Sequence, residues 1–125
     1  MGNKYNLMNT AYHEYLHRID AGGILNTSHL THAKVVLNAS LHNQYKYCSN
    51  DYKFSQARYF SQLVMNAYFN PQDVGDKVGA LNLIKQYNQS NLGIRLIFDI
   101  KGQYIKFDKT KVIIHYNKTK NKSNL

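Results

Sequence analysis

Two histidines and the only glutamate of the chain stand close together near its N-terminus. His13, Glu14 and His17 form the pattern H-E-x-x-H in a chain of 125 residues that has six histidines. Neutral imidazoles at positions i and i+4 of a helix can both reach one zinc ion, at Zn–N distances of about 2.0–2.1 Å. A carboxylate beside them can hold a water molecule and take its proton. The spacing therefore predicts a zinc site that activates water for hydrolysis.

The motif requires a helix, and the apolar pattern predicts one over residues 5–20. A pair of glycines follows as a stop signal. An α-helix turns by about 100° per residue, so His13 and His17 lie about 40° apart on one face. Glu14 flanks this face on one side and Asp20 on the other, where Asp20 could accept the N–H of a ligand histidine. The stripe that faces the core is predicted to be Met8, Tyr12, Tyr15, Leu16 and Ile19.

Residues 11–20 resemble the zincin metallopeptidases through this motif. The resemblance implies that His13 and His17 are metal ligands and that Glu14 is the general base. The segment from Tyr12 to His17 also looks like the small metallopeptidase domains at the C-termini of bacterial polymorphic toxins. That likeness implies a bacterial effector or toxin module, with a peptide or protein substrate and an immunity protein as partner.

A zincin site needs a third protein ligand. The metzincin pattern would place Gly at position 20 and His at position 23, where this chain has Asp20 and Gly23. The gluzincin pattern needs a downstream Glu, which the chain lacks. His29 and His32 follow His17 by 12 and 15 residues, a spacing similar to that in SprT-like zincins, where a histidine on the next helix completes the site. We prefer His32, because it should lie one turn before Val36 and point toward the partner helix. The alternatives are His29, then Asp20 and Asp51.

Three further helices are predicted after the motif. The second opens at Ser28 and runs to about Tyr47, and the third spans residues 55–69, with a polar loop over residues 48–53 between them. The sequence Asn-Pro-Gln-Asp at residues 70–73 is a helix-start pattern, with an N-cap, a proline at the first helical position and an acid in the first turn. The fourth helix is expected to bury Val74, Val78, Leu81 and Ile84.

The apolar period then changes from 3.6 to 2, which predicts strands over residues 94–100, 104–107 and 112–116. Short turns between them indicate an antiparallel meander. We therefore expect an α+β fold of about four helices and a small three-stranded sheet, in one zincin-like domain over residues 1–116. The Lys/Asn/Ser-rich composition of residues 117–125 predicts a disordered basic tail.

Zincins usually carry a sheet before the HExxH helix, and its edge strand aligns the substrate. The pattern of the 12 residues before His13 instead predicts a helix or a segment that leads into one. We expect either that such a sheet is missing from this chain or that the C-terminal meander replaces it.

The composition leaves a second class of function open. There are 16 Lys+Arg against 7 Asp+Glu, a net charge of +9, with 11 tyrosines. Lysines and aromatic rings suit nucleic acid, and positive charge suits an acidic protein, so the alternative is a non-enzymatic basic module that binds one of them. The basic residues are spread along the chain, which makes nucleic acid the less favoured partner. No run approaches the roughly 20 apolar residues of a membrane span.

Overall fold

The computed structural model of the protein describes residues 3–20 and 28–117, and for residues 17–20 it describes the backbone alone. The chain forms four helices followed by a three-stranded antiparallel sheet, which confirms the predicted α+β fold. The domain boundary after residue 116 stays a prediction, and the tail from residue 118 lies outside the described residues. The helices are α1 (Lys4–Asp20), α2 (His29–Ser40), α3 (Asn50–Phe69) and α4 (Asp76–Gln89), with a short 3₁₀ helix at Tyr45–Tyr47; the strands are β1 (Leu96–Asp99), β2 (Tyr104–Phe107) and β3 (Ile113–His115).

Helix α2 ends earlier than the sequence predicts. Ser28 caps its start as expected, because the Ser28 hydroxyl accepts a hydrogen bond from the Thr31 N–H at 3.2 Å. The helix stops at Ser40, and the polar residues that follow form a turn in which the Gln44 N–H donates to His42 Nδ1 at 3.3 Å. This turn brings Tyr45 back into the interior, where its side chain is buried. The prediction of a helix to residue 47 was therefore wrong.

Helix α3 begins five residues before the predicted start. Ser49 caps it by accepting the Tyr52 N–H at 3.1 Å, and Asp51 supplies the acid of the first turn. Most of the residues predicted as a loop are thus helical. The longer helix forms the centre of the core, where Phe60 stacks on Tyr87 of α4 with ring centroids 4.8 Å apart.

Helix α4 begins at Asp76, and the predicted start at Asn70 was wrong. The carboxylate of Asp76 is buried and accepts the N–H groups of Gln72 at 2.8 Å and Asp73 at 3.0 Å. These bonds hold the preceding segment in turns, so that the Asn-Pro sequence caps no helix.

The buried face of α4 also differs from the prediction. Val74 is fully exposed, and Val78 and Leu81 point largely to solvent. Of the four predicted core residues only Ile84 is buried, because α4 turns a different face to α3 and the sheet. That face carries Ala80, Leu83, Ile84 and Tyr87. Gly79 lies against α2, where an added Cβ would come within 2.9 Å of Leu30 Cδ2.

The sheet has the strand order β1-β2-β3, and a helix side chain binds outer backbone groups at one residue of each edge strand. On β1, Asn88 Nδ2 donates to the Leu96 carbonyl at 2.9 Å, and the Leu96 N–H donates to Asn88 Oδ1 at 2.8 Å. On β3, Gln62 Nε2 donates to the His115 carbonyl at 2.9 Å. The inner face packs on the helices, with Phe107 of β2 beside Phe54 of α3.

Helix α1 is the least buried of the helices, and its predicted apolar stripe was only partly right. Leu16 is buried, whereas Met8 and Tyr15 are 47% and 55% exposed. A polar residue anchors the helix instead. Asn9 is buried, donates through Nδ2 to the Ala39 carbonyl at 2.7 Å and accepts the Tyr52 hydroxyl at 2.9 Å. Among the described residues, no helix combines the length and apolar character needed to cross a membrane.

Candidate metal centre

The motif lies on the C-terminal half of α1, as predicted. His13 is half-buried and Glu14 is exposed. His17 and Asp20 belong to the same helix, but their side chains lie outside the description. One turn separates His13 from His17, so the helical backbone has the spacing that the motif requires.

His32 comes to the same place from a second helix. It lies on the first part of α2, half-buried, and its ring centroid is 6.4 Å from that of Tyr59 on α3. The ring of His13 is also 6.4 Å from Tyr59, with the planes inclined by 24°. Both distances are within the range of ring–ring contact. Three helices thus meet at Tyr59, and two of the predicted ligands border it.

Glu14 acts electrostatically on the same tyrosine. Burial raises the pKa of Tyr59 above its ordinary value, and the negative charge of Glu14 raises it further. A carboxylate has this effect only over a short distance, since solvent screens it. Glu14 therefore lies near the ring that His13 and His32 contact.

His29, the alternative third ligand, has a different environment. Burial lowers its pKa, and the charge of Asp76 at the start of α4 partly opposes that shift. Its Nε2 is buried and has no hydrogen-bond partner among the described residues. His29 and His32 point about 60° apart around α2. His29 therefore feels the charge of Asp76 on α4, whereas His32 contacts Tyr59 of α3, the ring that His13 also contacts.

Asp51 is placed far from the motif. It occupies the first turn of α3 and is exposed. Tyr59 follows eight residues later, which is about 12 Å along the helix axis.

Within residues 3–16 and 28–117, no three His, Cys, Asp or Glu side chains are grouped so as to hold a metal ion. The side chain of His17, which the motif offers as a ligand, lies outside that set. The described residues of the candidate site are His13, Glu14 and His32, which by themselves form no such group.

Cys48 has the environment of a structural residue. Its side chain is buried, and Sγ donates to the Tyr5 carbonyl at 3.4 Å. Burial raises the pKa of the thiol, which disfavours the reactive thiolate.

Lysines and tyrosines, whose abundance led to the nucleic-acid alternative, pair with each other inside this protein. Four lysine ammonium groups lie 5.1–5.9 Å from tyrosine ring centroids, on several different elements. Such cation–π contacts account for part of the composition without an external ligand. The pairs are Lys4–Tyr5, Lys46–Tyr47, Lys53–Tyr45 and Lys77–Tyr68.

Tyr59 is the residue that sequence reasoning missed. It lies on α3 outside the apolar stripe, directly before the buried Phe60, and is 41% exposed. The only available signal was an aromatic side chain at a position that the helical period assigns to solvent.

A helix carrying H-E-x-x-H is the pattern typical of zinc metallopeptidases. A family model described as Metallopeptidase toxin 2 matches residues 1–96, and the chain belongs to this family. The match includes all four helices, and with them the motif, His32 and Tyr59. No curated protein and no solved structure matches the chain. The protein is therefore a metallopeptidase toxin domain, and the family implies a metal cofactor and a protein substrate.

Proposed function

We propose that this protein is a zinc-dependent peptidase that hydrolyses peptide bonds of a protein substrate. In this proposal His13, His17 and His32 hold the metal, and Glu14 is the general base. The observation that carries it is the meeting of His13 from α1 and His32 from α2 at one tyrosine ring, next to the Glu14 charge.

The residues fit a catalytic zinc ion. Three imidazoles are a known ligand set for such zinc, and they leave a fourth position for water or substrate. His32 suits the third position better than His29, since among the described side chains His32 and not His29 contacts the ring of Tyr59, which His13 also contacts. Asp20 would accept the N–H of a ligand histidine and so fix its tautomer.

Glu14 would carry the proton in the reaction. A bound zinc ion supplies a water of lowered pKa and polarises the scissile carbonyl. The Glu14 carboxylate would take a proton from the attacking water as the C–O bond forms, and would then give it to the amine nitrogen as the C–N bond breaks. Its exposed position on α1 leaves room for both water and a peptide.

The substrate is not expected to add as a strand to the sheet. The Leu96 N–H and carbonyl are bonded to Asn88, and the His115 carbonyl is bonded to Gln62. A strand added at these positions would first have to displace the side-chain amides. The meander is therefore a poor substitute for the substrate-aligning sheet of other zincins, and we expect the substrate to lie against the helices.

The partner we propose, besides the substrate, is an acidic immunity protein. The net charge of +9 would accelerate its association at low salt, since opposite charges steer encounter.

Zinc content tests the proposal. The protein and three single variants would be dialysed against dilute zinc, and zinc per chain would be measured by elemental analysis. We expect about one zinc in the wild type and in His29→Ala, and almost none in His17→Ala and His32→Ala. His29→Ala is the matched control, because it removes a histidine from the same helix as His32. Wild-type protein without zinc would overturn the proposal, and loss in His29→Ala alone would overturn the choice of His32.

A further inference from the structure

Tyr59 contributes no metal ligand in the proposed site, yet it borders both histidines described there. It belongs to α3, whereas His13 belongs to α1 and His32 to α2. The Tyr59 ring is nearly parallel to the His13 imidazole, at 24°, and steeply inclined to that of His32, at 60°. One rigid ring therefore contacts two imidazoles that no covalent or helical connection aligns with each other.

The orientation of an imidazole needs such support. The χ2 torsion of histidine is broad, so the backbone alone does not fix the ring plane. A ligand ring that rotates freely must lose that freedom when metal binds, and this cost weakens binding. A flat neighbour packed against the ring removes the cost in advance.

We propose that Tyr59 is a positioning residue whose aromatic ring sets the planes of the His13 and His32 imidazoles for metal binding. The proposal rests on the proposed function, since it presupposes that these histidines are ligands. It assigns the role to the ring, because Tyr59 contacts both histidines through its ring. Helix α3 would then be part of the metal site without giving it a ligand.

Zinc affinity of Tyr59 variants tests the proposal without any need for a substrate. The dissociation constant would be measured by competition with a chromogenic chelator. Tyr59→Phe keeps the ring and should bind zinc within about twofold of the wild type. Tyr59→Leu and Tyr59→Met remove it and should bind about 10–100-fold more weakly, the usual cost of losing a group that orients a ligand. Tyr47→Leu is the matched control, because Tyr47 is also an exposed tyrosine with a ring contact, to Tyr5, and should leave affinity unchanged.

The outcomes are distinct. Wild-type affinity in both Tyr59→Leu and Tyr59→Met would overturn the proposal, and so would equal losses in Tyr59→Phe and Tyr59→Leu, since the hydroxyl would then be the active group. A general loss of fold would appear as a lower melting temperature of the metal-free variants. Lower melting temperatures in both Tyr59→Leu and Tyr59→Met, together with weaker zinc binding, would also count against a positioning role. Failure of the proposed function is read separately, from a wild type that takes up no zinc.

Discussion

The motif helix and the rest of the fold are held in place by different interactions. Helices α2, α3 and α4 pack apolar side chains against each other and against the sheet, with Phe60 and Phe107 wholly buried. Helix α1 packs on α2 through a small apolar cluster that includes Leu16, and hydrogen bonds of Asn9 hold it as well. The described side chains of the candidate site are exposed or half-buried, whereas those of the main core are buried. Changes at the site should therefore leave the fold intact, and changes in the core should reduce stability.

The largest expected effect lies at the site and leaves stability alone. Glu14→Gln should lower the rate of peptide hydrolysis by about 10²–10⁴-fold, because the amide cannot take the proton from water. Hydrolysis of a peptide library, followed by mass spectrometry, would measure the rate. The melting temperature and the zinc content should stay at wild-type values, because Glu14 is exposed and is not proposed as a ligand. A variant that hydrolyses at the wild-type rate would exclude Glu14 as the base.

The next effect lies in the core and reduces stability. Phe60→Ala should lower the free energy of unfolding by about 3–5 kcal/mol, because it leaves a cavity in the centre of α3. Met8→Ala on α1 is the matched control and should cost no more than about 0.5 kcal/mol, since Met8 is largely exposed. Urea unfolding measures both. Equal losses in the two variants would show that α1 carries as much of the stability as the core does.

A smaller effect is expected at the polar anchor between the two regions. Asn9→Ala should cost about 1–3 kcal/mol, because it removes the buried hydrogen bond to the Ala39 carbonyl and the bond from the Tyr52 hydroxyl. The loss should be concentrated in α1, and hydrogen exchange of the α1 amides should quicken more than that of α3. Asn38→Ala, at an exposed position of α2, is the control. Uniform acceleration across both helices would mean that α1 does not open separately.

The smallest effect is a pH dependence at the junction of α2 and α4. Burial lowers the pKa of His29 below its ordinary 6.5, so the unfolded chain binds this proton more readily than the folded one. Stability should therefore fall as the pH drops below about 6.5. In His29→Gln the slope of stability against pH should be smaller, by the contribution of less than one bound proton. Unfolding curves between pH 7 and pH 5 would give the slopes, and identical slopes in His29→Gln and wild type would contradict the assignment.

Local signals in the sequence were enough for the motif helix and the strands. The helix over residues 5–20 and the meander follow from apolar periods of 3.6 and 2, which depend on neighbouring residues only. The helix starts were harder to predict. Ser49 caps α3 although it stands in a polar stretch that looks like a loop. The Asn70-Pro71 pattern caps no helix, because the buried carboxylate of Asp76 binds the N–H groups of the residues that follow it.

Tertiary arrangement accounts for the remaining differences. The face of α4 that is buried depends on where α3 and the sheet lie, so Val74 and Val78 were wrongly predicted as core. The place of Tyr59 in the candidate site could not be predicted for the same reason, because it depends on contacts with histidines of two other helices. His32 was preferred from its predicted position on the second helix, and the ring contacts add a physical reason for that preference.

The Asn88 amide at the edge of the sheet has a consequence for how copies of the protein behave together. Its Nδ2 and Oδ1 bind the two backbone groups of Leu96 that another strand would otherwise use. At an exposed strand edge, the same segment of a second molecule can pair with the strand and extend the sheet into an aggregate. One asparagine thus makes joining at this position unfavourable, because an incoming strand would have to replace two bonds already formed. The side chain matters for solubility at high protein concentration even though it lies outside the proposed active site.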